Sequence, residues 1–307
     1  MTQNETPTRA GFAALIGEPN AGKSTLLNAL VGAKVSIVTH KVQTTRGLIR
    51  GVAISGGSQI VFVDTPGLFA PRRRLDRAMG AAAWSGAAEA DAVALLIEAQ
   101  RSLHEGVLEI IDRLKATARP KQTLALVINK IDRVKREELL ALAAAANARL
   151  DFARTFFISA LKGDGVEDFK TWLAGEMPPG PWLYPEDQIA DAPLRHLAAE
   201  ITREKLMLRL HEELPYQMTV ETDRWEEKPD GSARVEQTIY VAREGHRPIV
   251  LGKGGQTLKQ VGQAARKEIG ELAGRTIHLF LHVKLKENWL DDPERYRAMG
   301  LDFKSGS

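Results

Sequence analysis

Gly17-Glu18-Pro19-Asn20-Ala21-Gly22-Lys23-Ser24 carries the pattern G-x-x-x-x-G-K-S, and its reading decides the fold. The apolar run from Phe12 to Ile16 precedes it and reads as a buried strand. Thr25 to Val31 follows and reads as the first turns of a helix. Strand, glycine-rich loop and helix in that order are the context in which this pattern is a phosphate-binding loop. Glycines let the backbone wrap close to an anion, so that successive N–H groups point inward. The helix adds the positive end of its dipole. In this reading Lys23 reaches the outer phosphates and the Ser24 hydroxyl ligates magnesium. The whole stretch Gly17, Glu18, Pro19, Asn20, Ala21, Gly22, Lys23, Ser24 and Thr25 is expected to line the nucleotide.

Three later motifs complete the nucleotide site, and the last two of them name the base. Asp64-Thr65-Pro66-Gly67 follows the strand-like run Gln59 to Val63. Asp64 is placed to hold magnesium through water, and Gly67 to offer its N–H to a terminal phosphate. Asn129-Lys130-Ile131-Asp132 follows the apolar run Leu124 to Ile128. A carboxylate at Asp132 accepts from the ring N–H and the amino group of guanine, a donor pair that adenine lacks. Asn129 is expected to tie this loop to the phosphate loop, and the Lys130 stem to cover the base. Ser159-Ala160 ends another short strand, Thr155 to Ile158, and would offer a backbone N–H to the guanine oxygen. Taken singly, Asn-Lys-Ile-Asp is a common surface turn and Asp-Thr-Pro-Gly a common β-turn. Four motifs in this order, each at a strand end, predict a doubly wound, mostly parallel α/β sheet with its ligand at the carboxyl ends of the strands.

Thr39-His40-Lys41-Val42-Gln43-Thr44-Thr45-Arg46-Gly47 is polar and lacks periodicity. A threonine here ligates magnesium only while the terminal phosphate is present, which makes the loop a switch. Thr45 is the first choice and Thr44 the second, because spacing does not separate them. Many GTPases orient the attacking water with a glutamine after D-x-x-G; here the position is Leu68, which cannot. Asn20 is a candidate ligand for a potassium ion beside the phosphates, supplying charge where an arginine finger does elsewhere. Asn20, Lys23 and Thr45 are thus the candidate catalytic residues, and Ser24, Thr44, Thr45 and Asp64 the candidate magnesium ligands.

The chain has 307 residues, enough for two domains, and no cysteine, which excludes disulfides and thiolate metal sites and suits a reducing cytoplasm. Met1 to Arg9 is polar, and no run is long and apolar enough for a membrane span. Met177-Pro178-Pro179-Gly180-Pro181-Trp182-Leu183-Tyr184-Pro185 is rich in helix breakers. It divides a nucleotide-binding domain at 1–175 from a second domain at 192–307, tail included, through an ordered linker at 176–191.

The second domain reads as helix, strand, strand, helix, helix, strand. Leu194 to Glu213 has helical apolar spacing. Gln217 to Glu227 and Ala233 to Arg243 alternate as strands around Pro229-Asp230-Gly231. Gly252-Lys253-Gly254-Gly255 separates the short apolar turn Pro248 to Leu251 from a helix at Gln256 to Leu272. Thr276 to Leu285 alternates as a last strand. A helix–G-x-x-G–helix unit is the mark of a K-homology domain, which clamps single-stranded nucleic-acid backbone. From His246 to Lys286 eight basic residues face two acidic ones, whereas the whole chain carries only +3. That is a nucleic-acid footprint. Gly252, Lys253, Gly254, Gly255, Lys259, Arg266, Lys284 and Lys286 are the candidate RNA contacts, and Ile249, Val250 and Leu251 candidates to line a groove for unstacked bases.

The pairing of these two domains resembles the bacterial Era family of GTPases, which end in a type II KH domain. The matching stretches are Gly17 to Thr25, Gln43 to Arg46, Asp64 to Gly67, Asn129 to Asp132, Ser159-Ala160, Tyr184-Pro185, Glu200 to Lys205, Glu213 to Tyr216, Gly252 to Gly255 and Val283 to Trp289. The resemblance implies a GTP-hydrolysing switch, GTP or GDP with Mg2+ as ligands, and binding to the 3′ end of 16S ribosomal RNA in maturation of the 30S subunit. It implies that Leu68 is normal in the family, and a monomeric cytoplasmic protein with loose association at the inner face of the cell membrane. The other reading of the same residues is a GTPase whose C-terminal domain binds a different RNA or a protein client.

Overall fold

Arg9–Gly17 forms strand β1, which ends in the phosphate loop, and Lys23–Val31 forms helix α1 directly after it. This computed structural model describes residues 8–287 and 289–306. Most of the polar N-terminal stretch, and Asn288 of the last matching motif, lie outside the described residues. The first domain continues with β2 (Ile49–Ser55), β3 (Ser58–Asp64), α2 (Arg74–Glu89), β4 (Ala92–Glu98) and α3 (Glu105–Thr117). It closes with β5 (Thr123–Asn129), α4 (Arg136–Arg149), β6 (Arg154–Ile158) and α5 (Val166–Glu176).

The sheet runs β2-β3-β1-β4-β5-β6; β2 is antiparallel to β3 and the other pairs are parallel. Parallel strands covered on both faces read as unbroken apolar runs. Ile60-Val61-Phe62-Val63 and Ala92 to Ile97 are such runs and are buried throughout. One face packs on α1 and α5 through Leu26, Leu27, Leu30, Phe169 and Leu173. The other packs on α2, α3 and α4 through Ala83, Ala87, Ile111, Leu114, Leu142 and Ala146. The order reverses direction between β1 and β4, and the crevice at that switch point is where such sheets hold ligands.

The proline-rich segment is a strap on this first domain. Ala10 N–H donates to Pro178 O (3.1 Å), Gly180 N–H to Thr8 O (3.0 Å) and Val52 N–H to Ile189 O (2.9 Å). Gln59, fully buried, is satisfied by it: its Oε1 accepts from the amides of Leu183 and Tyr184, and its Nε2 donates to Tyr184 O.

The second domain contains α6 (Leu194–Arg209), β7 (Met218–Glu227), β8 (Ala233–Val241), α7 (His246–Leu251), α8 (Gln256–Ala273), β9 (Ile277–Leu285) and α9 (Pro293–Ala298). The sheet order is β7-β8-β9, with β7 antiparallel and β9 parallel to β8. Alternation along β9 sends Ile277 and Val283 into the core shared with α6 and α8, alongside Leu206, Val261, Ala265 and Ile269. The helix expected over 194–213 ends at Arg209, and a 3-10 turn at Leu214–Tyr216 carries Pro215 in its first turn.

The chain divides into two compact units, but not along the sequence boundaries alone. Thr45–Asp191 joins the described residues up to Ser36, and so do those from Met299 on, whereas Ile37–Thr44 belongs with Ala192–Ala298. The last residues of the tail assigned above to the second domain thus pack with the first, and residues 39–44 of the switch loop pack with the second.

Candidate nucleotide site and nucleic-acid loop

Four strand ends bring the nucleotide motifs together, as the parallel register requires. Leu15 of β1 stands beside Asp64 of β3, and Glu98 of β4 beside Asn129 of β5. The guanine loop is tied to the phosphate loop as anticipated. Asn129 Nδ2 donates to Ala21 O at 2.8 Å, and Asn129 Oδ1 accepts from Lys130 and Ala160 N–H. That approach explains Gly22: its φ is +97°, and any Cβ there would overlap the Asn129 amide. Ser159 Oγ donates to Asp132 Oδ1 at 2.8 Å, which holds the carboxyl below its usual range. The Ala160 N–H is engaged with Asn129, so it organises the loop that carries Asp132. Lys130 adopts φ +67° and its Nζ pairs with Glu98 at 2.9 Å, which sets the direction of its stem. The sequence reading missed Glu98, because a carboxylate at the end of a hydrophobic strand carries no motif.

Asp64 is completely buried. Its Oδ2 accepts from Ser24 Oγ (2.6 Å), Ser36 Oγ (2.9 Å) and Thr45 Oγ1 (3.4 Å), and Ser24 Oγ lies 3.0 Å from Thr45 Oγ1. Its Oδ1 is buried without a hydrogen-bond partner among the described residues. Burial pushes the Asp64 carboxyl up, against the opposing effects of Lys23 and the three hydroxyls. A buried carboxylate oxygen left open beside two hydroxyls is a hard-oxygen donor set of the kind that takes magnesium. The two threonines separate here. Thr45 converges on Asp64, whereas Thr44 Oγ1 bonds to Lys41 O (2.7 Å) and Thr39 Oγ1 (2.6 Å). Ser36, absent from the sequence reading, is the third hydroxyl on Asp64. Leu68 is buried in the hydrophobic cluster with Ala83 and Ile97, and its N–H donates to Gly17 O at 3.0 Å. It anchors the loop start and orients no water.

Lys23 is buried, with Nζ donating to Gly17 O (3.0 Å) and Glu18 O (2.9 Å). Desolvation lowers its pKa to about 8, while Asp64 and Glu18 oppose the shift. A bound phosphate favours the charged ammonium and raises that pKa. Below pH 8 Lys23 is charged in both states and affinity is flat. Above pH 8 binding takes up a proton, so nucleotide affinity falls, by up to about tenfold per pH unit. Calorimetry at pH 8.5 in two buffers of different ionisation enthalpy reads that uptake directly. A dissociation constant flat from pH 7 to 9.5 contradicts the assignment of Lys23 to the phosphates.

In the second domain Gly252, Lys253, Gly254 and Gly255 join α7 to α8, and Gly254 (φ +59°) and Gly255 (φ +77°) are both left-handed. Lys253, Lys259 and Arg266 are exposed on the loop and on α8. Ile249 is 55% exposed, but Val250 is fully buried in the core, so of the three residues expected to line a groove Val250 is excluded. Its backbone position puts it under α8, where the core takes it. Lys284 lies on the face of β9 opposite to Val283 and α8, beside Tyr240, and Lys286 pairs with Asp292 at 2.7 Å. Lys253 is thus on the loop, Lys259 and Arg266 are on the exposed side of α8, and Lys284 and Lys286 are at the end of β9.

Comparison with known proteins identifies both domains. Residues 12–130 match a family model described as 50S ribosome-binding GTPase, and residues 213–290 one described as KH domain. The chain is 64% identical to GTPase Era of Dinoroseobacter shibae over 307 residues, covering all of both proteins. It is 63% identical to GTPase Era of a Bradyrhizobium species (strain BTAi1) over 296 residues, 96% of this chain and 95% of that one. A crystal structure of a variant of Aquifex aeolicus Era bound to GDP·AlF4− superposes with a TM-score of 0.89 at 36% identity, covering 95% of this chain and 99% of that one. An Era structure in complex with MgGDPNP and nucleotides 1506–1542 of 16S ribosomal RNA matches with the same TM-score, identity and coverage. With the phosphate loop, the guanine loop and the glycine clamp in place, and near-full-length relatives of this identity, the chain belongs to the Era family of GTPases.

Proposed function

We propose that this GTPase is a nucleotide-gated clamp for the 3′ end of 16S ribosomal RNA, acting in maturation of the 30S subunit. The ribosomal RNA bound by the Era relative supports this choice of partner, and the 50S description attaches to a model that covers residues 12–130 alone. The observation that carries the gating is the division of the switch loop. Residues 37–44 are held by α6: Glu204 Oε1 accepts from Val38 N–H at 2.8 Å, and the buried Arg203 donates to Thr44 O. The next residue, Thr45, turns to Asp64. One peptide bond thus joins a magnesium-site hydroxyl to a segment packed on the RNA-binding unit.

Ser24, Thr45 and Asp64 would hold Mg2+, which neutralises charge on the phosphates and favours transfer of the terminal phosphoryl group to water. Lys23 adds its ammonium at the outer phosphates, and Asp132 selects guanine. The Leu68 N–H, donating to Gly17 O, holds the segment after Gly67 against the phosphate loop. A bound terminal phosphate would hold Thr45 at the metal site beside Asp64, and release of that hold after hydrolysis would let Thr45 withdraw and shift 37–44 and so α6. Asn20, at φ +65° in the phosphate loop, would ligate K+ in this reading. Turnover faster in potassium than in sodium, with the difference abolished in Asn20→Ala, tests that role; equal rates in both salts reject it. Loose association with the inner membrane surface belongs to the same family reading; among the described residues no helix is long and apolar enough to cross a membrane.

The test of the gate is affinity for a short RNA of the 16S 3′ sequence, measured with GDP and with a non-hydrolysable GTP analogue. Binding at least tenfold tighter with the analogue is expected, and Arg203→Met should shrink that ratio. A ligand without differential affinity shifts no equilibrium, so equal affinities in the two states rule the gate out.

A further inference from the structure

Glu18 is an acidic residue inside a loop that binds phosphates. Its carbonyl accepts from Lys23 Nζ at 2.9 Å, so its backbone is part of the phosphate loop, yet its side chain brings a negative charge there. The carboxylate is turned toward the start of α3. A Cβ at Gly106, in the first turn of that helix, would lie 2.6 Å from Glu18 Oε1, so glycine leaves the room that the carboxylate occupies. The positive end of a helix favours such a charge. Two side chains of the loop between β4 and α3 stand beside it. His104 Nε2 lies 3.0 Å and Arg101 Nη1 3.7 Å from Glu18 Oε2.

Arg101 faces a second carboxylate as well. Its Nε lies 3.4 Å from Glu98 Oε2, and Glu98 Oε1 meets Lys130 of the guanine loop at 2.9 Å. Lys130, Glu98, Arg101 and Glu18 thus alternate in sign from the guanine loop to the phosphate loop. The backbone between them is fixed: Arg101 N–H donates to Glu98 O (3.0 Å) and Ala99 N–H to Asn129 O (2.8 Å). The Glu18 and Glu98 side chains are only 17% and 13% exposed, against 51% for Arg101. A largely buried carboxylate is costly unless a cation meets it. A guanidinium presents donors along several edges, so one group serves two carboxylates in a fixed geometry; an ammonium is a point charge. Left open, the Glu18 carboxylate would repel phosphates bound by the same loop.

We propose that Arg101 is a positioning residue of the nucleotide site, joining the guanine loop to the phosphate loop through Glu98 and Glu18 and cancelling the Glu18 charge beside the bound phosphates. It acts through those two carboxylates. The inference concerns the GTP site alone and stands whatever the second domain binds.

The experiment is a double-mutant cycle on the full-length protein. Wild type, Arg101→Met, Glu18→Gln and the double variant are titrated with GDP and with a non-hydrolysable GTP analogue at one magnesium concentration. Arg101→Met should weaken GDP about threefold and the analogue about tenfold, because an unmasked charge acts more strongly on the more highly charged nucleotide. In the Glu18→Gln background the same substitution should cost less than about twofold, since no carboxylate is left to unmask. In steady-state turnover the loss should lie in KM, with kcat within about twofold of wild type, as for contacts made equally in the ground and transition states. A merely structural role would lower both nucleotides by one factor in both backgrounds. That additive result would overturn the proposal, and so would wild-type affinity in Arg101→Met. If Arg101→Met melts well below wild type, Arg101→Gln, which keeps a polar head at the same half-exposed position, is carried through the same cycle with the same expectations.

Discussion

Asp132→Asn is expected to exchange guanosine for xanthosine triphosphate as the preferred nucleotide. Guanine presents two donors, and in this assignment the Asp132 carboxylate would meet both with acceptor oxygens. An asparagine keeps one acceptor and sets an amide N–H2 against a donor. Charge-assisted hydrogen bonds are the stronger kind, and a buried donor left unmatched is costly. The loss in GTP affinity should therefore be on the order of 10²–10⁴-fold, as for other sites that read a substrate by hydrogen bonds. Xanthine replaces the amino group with a carbonyl, which accepts from the new amide, so affinity and hydrolysis should return with that nucleotide. The loop should survive the change, because Asn129 is anchored independently to Ala21 O and Ala160 N–H. Competition binding with both nucleotides measures the effect. A variant that still prefers GTP would remove Asp132 from base recognition.

Gly254→Asp should abolish RNA binding and leave GTP binding and hydrolysis at wild-type levels. A Cβ at 254 meets no atom within 4 Å, and the backbone lies at φ +59°, ψ +24°, a left-handed conformation that aspartate tolerates better than most residues. The domain is therefore expected to fold, at a cost of about 1 kcal/mol. The new carboxylate then sits in the loop that must approach phosphates, beside Lys253, and cancels its charge. Loss of close approach together with like-charge repulsion should weaken RNA by 100-fold or so, on the scale of a few phosphate contacts. Gly252 makes a poor test site by comparison, since its Cβ would overlap the Thr257 side chain and disturb α8 itself. Full RNA affinity in Gly254→Asp would move the RNA site away from this loop.

The nucleotide site was legible in the sequence because each motif is local. A phosphate loop needs its glycines, lysine and serine at fixed separations, and the guanine loop needs its aspartate three residues after its asparagine. The parallel sheet then delivers these local pieces to one edge. Elements without a motif were less visible. β2, β4, α3 and α5 were not separated by pattern: β4, Ala92–Glu98, is an unbroken apolar run that periodicity cannot assign to strand or helix. Val250 looked like its neighbour Ile249, and only packing against the core decides that one is buried and the other exposed.

By itself the sequence determined the two fold classes, their order, the chemistry of the nucleotide and the position of the glycine loop between α7 and α8. These depend on residue types at short spacings, where backbone geometry leaves little freedom. Only the tertiary structure decided which threonine meets Asp64, that Ser36 and Glu98 complete the two loops, and that residues 37–44 pack with the second unit while the last residues of the tail pack with the first. It also decided that Arg101 stands between Glu98 and Glu18. Such choices turn on contacts between residues far apart in the chain. Their free energies come from burial and from satisfying buried polar groups, and neither is encoded at any single position.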